Sequence, residues 1–405
     1  MKPLAVTDYT LVSALGAGRA ATAAALQSGR SGLQRQRFET ADIDTWLGVV
    51  AGSDDVRLPA GLEFFDCRNH RIAQMTLLAD GFAARVRRAA ARWGAARVGV
   101  FLGTSTSGIL STEIAYRQRA VVQGHASGAL PASLHYGHSH NTYSVARYVR
   151  AALGLKGPAS VVSTACSSSA KVFASAQRFI AAGLIDAAVV GGVDSLCMTT
   201  LYGFKSLELV SADICRPWDA HRNGLSLGEG AAFALLQRDA ENAAGWLLGC
   251  GESSDGHHMS SPHPEGAGAA LAMRGALAQA GLQPADVDYL NLHGTGTPGN
   301  DAAEALAVHA VFGSRLPCSS TKGHTGHTLG AAGGVEAAIA LLALQHGFMP
   351  AGLNVQALDP TLQVNYLRDV RHVRAGALQV VASNSFGFGG SNACLLFGSA
   401  AGPAA

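Results

Sequence analysis

The sequence has few charged residues. They make up 14% of the 405 positions, where a soluble domain typically has about a quarter, so a large part of the chain is expected to be buried. The 30 Lys and Arg residues nearly balance the 28 Asp and Glu residues. This balance argues against nucleic acid as the partner, although a local basic patch for one acidic partner stays possible.

Paired cysteines and long apolar runs are also missing. The seven cysteines are an odd number without a Cys-x-x-Cys pair, so neither a disulfide framework nor a zinc ribbon is predicted. The N-terminus has no signal-peptide pattern, and the most apolar stretch, residues 337–344, is too short to span a bilayer. We therefore expect reduced thiols, a cytoplasmic protein and no membrane partner.

Short apolar runs alternate with alanine-rich runs along the whole chain. This alternation predicts an α/β architecture whose strands are buried on both faces. The strand-like runs are residues 97–102, 159–164, 187–192, 287–292 and 380–384. The best division falls between residues 239 and 245, which gives an N-terminal part of residues 1–240 and a C-terminal part of residues 241–405.

The residues around Cys166 have the pattern of a strand that turns directly into a helix. Apolar residues precede it, and Phe173, Ala176 and Ile180 follow at helical spacing. A helix N-terminus carries partial positive charge and free N–H groups, which lower the pKa of a thiol and donate to an oxyanion. Cys166 is therefore a candidate nucleophile, and a buried structural cysteine is the alternative.

A second segment, residues 288–304, delivers His293 from a strand into a glycine- and threonine-rich turn. A helix is predicted to restart after Asn300, which suits an N-cap. A histidine in this position suits acid–base work or donation to a carbonyl group. The alternative is a histidine that only satisfies carbonyl groups of the turn.

A third segment carries Lys322, His324 and His327 through a glycine-rich loop into a helix. The two histidines suggest a metal site, but no third ligand with suitable spacing is nearby, so no metal is predicted. Lys322 is instead expected to hold His327 neutral by electrostatic repulsion.

A fourth segment, residues 383–397, places Phe386 and Phe388 in a glycine-rich turn between two apolar strands. Such a loop suits the cover of an apolar channel, and a plain hairpin is the alternative. Because no helix follows the glycines, a dinucleotide-binding turn is excluded.

Together, and in this order, the four segments resemble the elongating 3-oxoacyl-[acyl-carrier-protein] synthases of the thiolase superfamily, and the similarity runs nearly the whole length. The resemblance implies an α/β fold that is a thiolase-like five-layered αβαβα sandwich of two related halves. It also implies a catalytic triad of Cys166, His293 and His327. Lys322 and Glu304 match supporting residues that order the site around His327.

The resemblance further implies a decarboxylative Claisen condensation. An acyl group moves to the cysteine, both histidines hold the thioester oxygen of malonyl carrier protein, and the enolate left by decarboxylation attacks the acyl group. The N–H groups of Cys166 and Phe388 match the second oxyanion hole. Phe388 also matches an aromatic gate with Phe386 beside it, and Asp255 and His258 match positions that move with the gate.

Partners are implied in the same way, and no bound cofactor is expected because the substrates ride on the phosphopantetheine of acyl carrier protein. Carrier proteins are acidic, so Arg68, Arg71 and Lys205 are candidate docking residues. A homodimer or a heterodimer with a chain-length-factor-like paralogue is expected. Gly108 stands where some relatives have a bulky chain-length gate, so the small residue is expected to leave space for longer chains. Together with the His- and Tyr-rich segment 134–143, this favours a secondary-metabolite enzyme that makes polyenes or unusual long chains.

Two alternatives from other classes remain. A noncatalytic chain-length-determining subunit would have the same fold but would lack the nucleophile that Cys166 supplies. A coenzyme A-dependent thiolase would need a second catalytic cysteine in the C-terminal half, where Cys394 is the only nearby candidate.

Overall fold

The computed structural model describes residues 2–122, 126, 128–240, 242–374 and 376–401. Within these residues the strands are β1 Leu4–Ser13, β2 Gly16–Ala17, β3 Gln34–Arg35, β4 Trp46–Gly48, β5 Val98–Gly103, β6 Ala159–Val162, β7 Ala187–Asp194, β8 Leu227–Gly228, β9 Gly230–Gln237, β10 Gly245–Ser254, β11 Tyr289–Asn291, β12 Pro317–Ser319, β13 Phe348–Met349, β14 Asn365–Tyr366, β15 Arg371–His372, β16 Val380–Gly387 and β17 Ser391–Gly398. The α-helices are α1 Arg19–Gln27, α2 Arg68–Leu78, α3 Phe82–Trp93, α4 Ile109–Arg117, α5 Ser144–Leu153, α6 Ser168–Ala181, α7 Met198–Ser206, α8 Ala267–Ala280, α9 Pro298–Phe312, α10 Lys322–Thr325 and α11 Ala332–His346.

The main sheet repeats one strand order twice. The N-terminal half contributes β6-β5-β7-β9-β1, and the C-terminal half contributes β12-β11-β16-β17-β10, with β14 added beyond β12. In each half the first three strands are parallel, whereas the fourth and fifth pair antiparallel. A short antiparallel pairing of β1 with β10 joins the halves. The prediction of two related halves is confirmed.

Helices cover both faces of each half-sheet and meet in a shared central layer. Val190 of β7 and Leu395 of β17 belong to the central core, which also contains residues of α6 and α11. Their neighbours face the other way: Val189 packs in an outer core with α2, α3 and α5, and Leu396 packs in a second outer core with α8 and α9. Because successive strand residues point to opposite faces, both half-sheets are buried on both sides. This five-layered α/β fold accounts for the low fraction of charged residues.

The division at residue 240 stays a prediction. Strand β9 ends at Gln237 and β10 begins at Gly245, so the switch from one half-sheet to the other falls in this interval. Residue 241, where the predicted second part begins, lies outside the described residues.

One helical stretch, residues 329–346, is long and apolar enough to cross a membrane by length and composition. It contains α11 and includes the apolar run that the sequence analysis singled out. In the structure 89% of this stretch is buried, and α11 lies in the central layer between the two half-sheets.

Candidate active site

Cys166 lies in a tight turn between β6 and α6. The preceding residue, Ala165, has a left-handed backbone (φ 50°), which is unusual for a residue with a Cβ atom and indicates a strained turn. The main-chain N–H of Ser168 closes the turn by donating to the Ala165 carbonyl at 3.2 Å. Helix α6 begins at Ser168, so Cys166 stands just before the positive end of a central helix.

The serines that follow Cys166 fasten the turn from the inside. Ser168 Oγ accepts the Thr164 N–H at 2.9 Å, and Ser169 Oγ accepts the N–H of Gly334 in α11 at 2.8 Å. Both side chains are buried. They hold the two central helices together and keep the position of Cys166 fixed.

His293 follows β11 and is held by a carboxylate on α9. Glu304 accepts the main-chain N–H groups of His293 and Gly294 at 2.8 and 2.7 Å. The predicted helix start after Asn300 is wrong, because α9 already begins at Pro298 with Thr297 as its N-cap. A proline suits the first helical turn, where its missing N–H costs no hydrogen bond.

His327 brings the C-terminal half into contact with the nucleophile. Its Nε2 atom lies 2.9 Å from Cys166 Sγ. Its main chain is fixed by two bonds to the segment before β9, from the His327 N–H to the Ser226 carbonyl and from the Gly228 N–H to the His327 carbonyl. Its Nδ1 atom is buried and has no hydrogen-bond partner among the described residues. The proton of this ring is therefore not tied to one nitrogen by a neighbour.

Lys322 has a partner that the sequence analysis missed. Its Nζ donates to Glu336 of α11 at 2.5 Å and to the His293 carbonyl, and lies 3.4 Å from His293 Nδ1. The expectation that Glu304 orders the site around His327 needs correction, because Glu304 supports His293. Glu336 had a usable signal: it is a lone acid in an otherwise apolar helix, and a buried carboxylate requires a charged partner.

Burial controls the protonation of all three triad residues. It lowers the pKa of His293 and His327 well below the usual value, and the positive charge of Lys322 lowers both further. Both rings are therefore neutral near pH 7, as predicted. The expected lowering of the thiol pKa is wrong: burial raises the pKa of Cys166 to about 12, although Lys322 opposes the shift. The resting nucleophile is a thiol.

Only the His293 ring has a defined hydrogen-bonding role. Because Lys322 Nζ has only donor hydrogens, His293 Nδ1 must accept, and the ring proton is then on Nε2. His327 Nε2 and Cys166 Sγ are 2.9 Å apart, and the tautomer of the His327 ring decides which of the two atoms donates. The site therefore combines a sulfur nucleophile, a nearby proton acceptor and an N–H donor.

A cavity of about 380 Å³ opens onto this triad, a size suited to a small ligand or to part of a long one. It brings Cys166, His293 and His327 together with residues of the Phe386–Phe388 turn. Phe204, Leu209 and Leu225 also line it. These three were missed because nothing in their local sequence marks them as site residues.

The two phenylalanines of the turn have different neighbours. Phe386 packs near His293, with ring centroids 5.7 Å apart, and Phe388 packs near Phe204 of α7 at 5.4 Å. A Cβ atom on Gly387 between them would lie 2.5 Å from the Thr164 carbonyl oxygen. Glycine is thus required where the turn approaches the nucleophile elbow.

The segment that faces this turn contacts it through main-chain bonds. The Asp255 N–H donates to the Gly390 carbonyl, and the Gly389 N–H donates to the Met259 carbonyl, both at 2.8 Å. The Asp255 side chain accepts from Asn392 at 2.7 Å. His258 is exposed, and its Nδ1 accepts main-chain N–H groups of its own loop. Asp255 therefore contacts the turn directly, whereas the described contacts of the His258 ring stay within its own loop.

Gly108 does not border the cavity at the triad. A Cβ atom there would lie 2.7 Å from the main-chain carbonyl group of Ser139. The expectation that Gly108 offers open space for a longer chain is therefore wrong, since the space beside it is filled by backbone.

The three candidate docking residues differ in their surroundings. Arg68 is nearly buried and makes a two-pronged ion pair with the buried Glu229 at 2.6 and 2.8 Å, so it holds the fold together. Arg71 is partly buried and pairs with Asp66 at 2.5 Å. Lys205 near the end of α7 is exposed. The prediction is wrong for Arg68, and Lys205 is the candidate best placed to meet a partner.

His324 and Cys394 belong to the surrounding structure. The two ring nitrogens of His324 lie 3.1 and 3.0 Å from the carbonyl oxygens of Arg30 and Ala351, so neither faces a metal position. Cys394 is fully buried in the outer core beneath α8 and α9. It does not border the cavity at the triad, where a second catalytic cysteine would have to be.

Sequence profiles match both parts of the chain. The profile of the beta-ketoacyl synthase N-terminal domain matches residues 1–242, and that of the C-terminal domain matches residues 244–356. The chain belongs to the beta-ketoacyl synthase family. Cys166 lies within the first match, and His293, Lys322 and His327 lie within the second.

Individual relatives agree with this assignment. The 3-oxoacyl-[acyl-carrier-protein] synthase 2 of Vibrio cholerae is 31% identical over 97% of this chain and 98% of its own length. The mitochondrial 3-oxoacyl-[acyl-carrier-protein] synthase of Arabidopsis thaliana is 39% identical over 61% of this chain and 57% of its own. The solved structure of the Xenorhabdus doucetiae ketosynthase ApeO in complex with its chain length factor ApeC is also similar, with 36% identity, a TM-score of 0.88 and 98% coverage of both chains.

Proposed function

We propose that this ketosynthase catalyses the decarboxylative Claisen condensation of an acyl group held on Cys166 with malonyl-[acyl-carrier-protein]. The products are 3-oxoacyl-[acyl-carrier-protein] and carbon dioxide. The observation that carries the proposal is the contact of Cys166 Sγ with His327 Nε2 at 2.9 Å, beside a second neutral histidine.

The first step transfers the acyl group to the enzyme. Cys166 Sγ attacks the carbonyl carbon of the acyl thioester, and its proton moves to His327 Nε2 as the S–C bond forms. The oxyanion is held by the N–H groups of Cys166 and Phe388. When the tetrahedral state collapses, the pantetheine sulfur leaves and takes the proton from His327. The raised pKa of the thiol makes this proton acceptor necessary.

The second step releases carbon dioxide from the malonyl thioester. The C–C bond to the carboxylate breaks, and the electron pair passes into the thioester as an enolate. His293 donates through Nε2, because Lys322 occupies its Nδ1 side. For His327 to donate through Nε2 as well, its ring proton must move from Nδ1 to Nε2 after acyl transfer, and no described residue accepts from Nδ1 and would hold the proton there. Fixed neutral donors of this kind stabilise developing negative charge.

The third step forms the new bond. The enolate carbon attacks the acyl carbonyl on Cys166, the thioester bond to sulfur breaks, and the sulfur regains a proton. Overall, one proton is consumed for each carbon dioxide released. Phe388 and its turn act as a gate over the acyl group, and Asp255 moves with it through its bond to Gly390.

The two alternatives are less well supported. A noncatalytic chain-length subunit does not require a complete triad or the buried lysine and glutamate that support it. A coenzyme A-dependent thiolase needs a second cysteine at the reacting atoms, and Cys394 lies in a different core.

Purified protein supplied with acyl and malonyl carrier proteins tests the proposal. We expect 3-oxoacyl carrier protein and one carbon dioxide per turnover, with a much lower rate for the corresponding coenzyme A thioesters. Preferred turnover of acetoacetyl-coenzyme A would favour the thiolase, and acceleration of another subunit without turnover of its own would favour the noncatalytic role.

We further propose the physiological partners of the protein. Acyl carrier protein delivers both substrates and docks near Lys205. A second ketosynthase-fold subunit pairs along β6, which ends the strand path of the sheet and is only half buried. An unpaired edge strand is a ready template for pairing with another chain. Since ApeO is solved with a chain length factor, a heterodimer for a secondary-metabolite chain is the favoured form, and a homodimer is the alternative.

Native mass spectrometry distinguishes the two oligomers. A stable dimer of the protein alone would support the homodimer. A monomer that becomes stable only with a paralogous subunit would support the heterodimer. No bound cofactor is required by the reaction, and seven unpaired cysteines fit a reducing cytoplasm.

A further inference from the structure

The Phe388 ring lies in a turn with glycine on both sides. Phe388 is followed by Gly389 and Gly390, both with left-handed backbones (φ 79° and 72°). Glycine adopts this region without steric cost, so the backbone here does not restrict the ring to one place. The main-chain bonds to Met259 and Asp255 hold residues 389 and 390, which leaves the direction of the Phe388 side chain to its packing.

The Phe388 ring packs against Phe204 of α7. The two ring centroids are 5.4 Å apart and the ring planes are inclined by 31°. Both rings border the cavity at the triad, and both are only partly buried. Phe204 also packs against the apolar cluster around Leu196, Leu201 and Leu225, so its own position is anchored from behind.

Phe386 does not share this arrangement. Its ring is buried and lies 5.7 Å from the His293 ring. The two phenylalanines of one short turn are thus attached to different halves of the molecule, Phe386 to the C-terminal half and Phe388 to a helix of the N-terminal half. Movement of the turn requires the Phe388 contact with α7 to break.

We propose that Phe204 is a positioning residue that seats the Phe388 ring and thereby keeps water from the acyl thioester on Cys166. This inference rests on the proposed function, because it needs an acyl group on Cys166 and a gate at Phe388. Closed active sites protect reactive intermediates by excluding water. When the ring leaves its seat, water attacks the thioester carbonyl, the C–S bond breaks, and free acid and the Cys166 thiol are formed.

The test measures how the acyl-enzyme divides between hydrolysis and condensation. Acyl-Cys166 is formed with acyl carrier protein, the free carrier is removed, and the loss of the acyl mass is followed by intact-protein mass spectrometry with and without malonyl carrier protein. We expect the acyl group on Cys166 to be hydrolysed about three- to tenfold faster in Phe204→Ala than in the parent, since the free energy of one aromatic pair corresponds to a factor of that size. Phe204→Tyr, which keeps the ring, should hydrolyse at the parent rate.

Tyr202→Ala is the matched control, because Tyr202 lies on the same helix with an exposed side chain. If Phe204→Ala proves unstable, Phe204→Leu retains apolar volume but lacks the ring contact, and the same acceleration is expected. Equal hydrolysis in the parent and in a folded Phe204 variant would overturn the proposal. So would equal acceleration by Tyr202→Ala, because the effect would then not depend on the seat.

Failure of the proposed function gives a different result. If the parent protein never gains the acyl mass, or gains it on another cysteine, the condensation mechanism is wrong. Cys166 then carries no acyl group whose hydrolysis could be measured. If the parent is acylated on Cys166 but the variants hydrolyse it no faster, only the role of Phe204 is wrong.

Discussion

The two halves of the molecule share a strand order but place different chemistry at equivalent positions. The first strand of the N-terminal order, β6, leads through a turn of small residues into α6 and carries a single reactive atom, the sulfur of Cys166. The first strand of the C-terminal order, β12, leads into α10 and α11 and carries Lys322 and His327. One half therefore supplies the nucleophile and the other supplies the proton acceptor and the donors.

The difference between the two turns follows from what each must hold. The Cys166 turn contains no charge. Its left-handed residue, Ala165, is held in place by the hydrogen bonds of buried serines. The Lys322 turn is fixed by a buried ion pair and by main-chain bonds from His327 to the opposite half. A neutral nucleophile needs only a rigid turn. A buried cation such as Lys322 also needs a carboxylate nearby to compensate its charge.

Removing one histidine at a time should separate acyl transfer from malonyl decarboxylation, and we expect the largest effects here. We expect His293→Ala to lower malonyl decarboxylation by about 10²–10³-fold and to leave acyl transfer to Cys166 nearly intact. His327→Ala should lower both steps, because His327 Nε2 also contacts Cys166 Sγ. Release of radiolabelled carbon dioxide and acylation of the protein are measured in parallel. If His293→Ala lost acyl transfer but kept normal decarboxylation, the role assigned to His293 would be wrong.

Alkylation of the cysteines tests the neutral resting thiol. Because burial raises the pKa of Cys166 to about 12, its thiolate fraction should rise about tenfold per pH unit, and labelling by iodoacetamide should accelerate accordingly from pH 7 to pH 9. A rate that is already independent of pH above 7 would show a lowered pKa.

Cys67 provides the internal control for this experiment. It borders a different cavity, and burial raises its pKa to about 12 as well. Within the part of the chain described, no histidine ring nitrogen makes a hydrogen bond to the Cys67 sulfur as His327 Nε2 does to Cys166 Sγ. Peptide mapping should therefore find Cys166 labelled first, and His327→Ala should slow only Cys166. Prior labelling of Cys67 would contradict the nucleophile assignment.

The buried ion pair of Lys322 and Glu336 stabilises the C-terminal half of the site. Glu336→Gln leaves the Lys322 cation without its partner in a buried site, which should cost about 3–5 kcal/mol of unfolding free energy and lower decarboxylation. Thermal unfolding and carbon dioxide release check this. Glu252→Gln, which breaks a more exposed pair with Arg178, should cost less than about 1 kcal/mol. Equal unfolding free energies of the two variants would show that Glu336 does not compensate the buried charge of Lys322.

The smallest effect is expected at the surface. Lys205→Glu should raise KM for acyl carrier protein by about two- to fivefold with kcat unchanged, because an exposed charge on α7 acts on docking alone. The same change at the exposed Arg88 of α3 is the control. High salt should abolish the difference. A lower kcat at unchanged KM would place Lys205 in the chemistry instead.

The sequence was sufficient to predict the α/β class and to single out candidate residues, because these signals are local. An apolar strand that ends in a Ser- or Gly-rich turn indicates Cys166 and His293 as candidates, whereas their combination with His327 into a triad was implied by the resemblance to the elongating synthases. Long-range partners were not predictable in this way. Glu336 could be paired with Lys322 only once α11 was placed in the central layer, and Phe204 could be paired with Phe388 only once α7 faced the turn.

The errors have the same origin. Gly108 suggested open space because a sequence shows the missing side chain but not the Ser139 backbone that fills its place. Arg68 suggested a surface cation because its partner Glu229 is far away in the chain. The thiol pKa was expected to fall because the helix terminus is visible in the sequence, whereas the burial that outweighs it is not.

Peptide mass spectrometry shows directly whether Cys166 carries the growing chain. The protein is incubated with acyl carrier protein in the absence of malonyl carrier protein, digested at mildly acidic pH to preserve thioesters, and mapped peptide by peptide. We expect one acyl group per chain, on the peptide that contains Cys166, and none in Cys166→Ala. An acyl group on any other residue, or acylation that survives in Cys166→Ala, would contradict it.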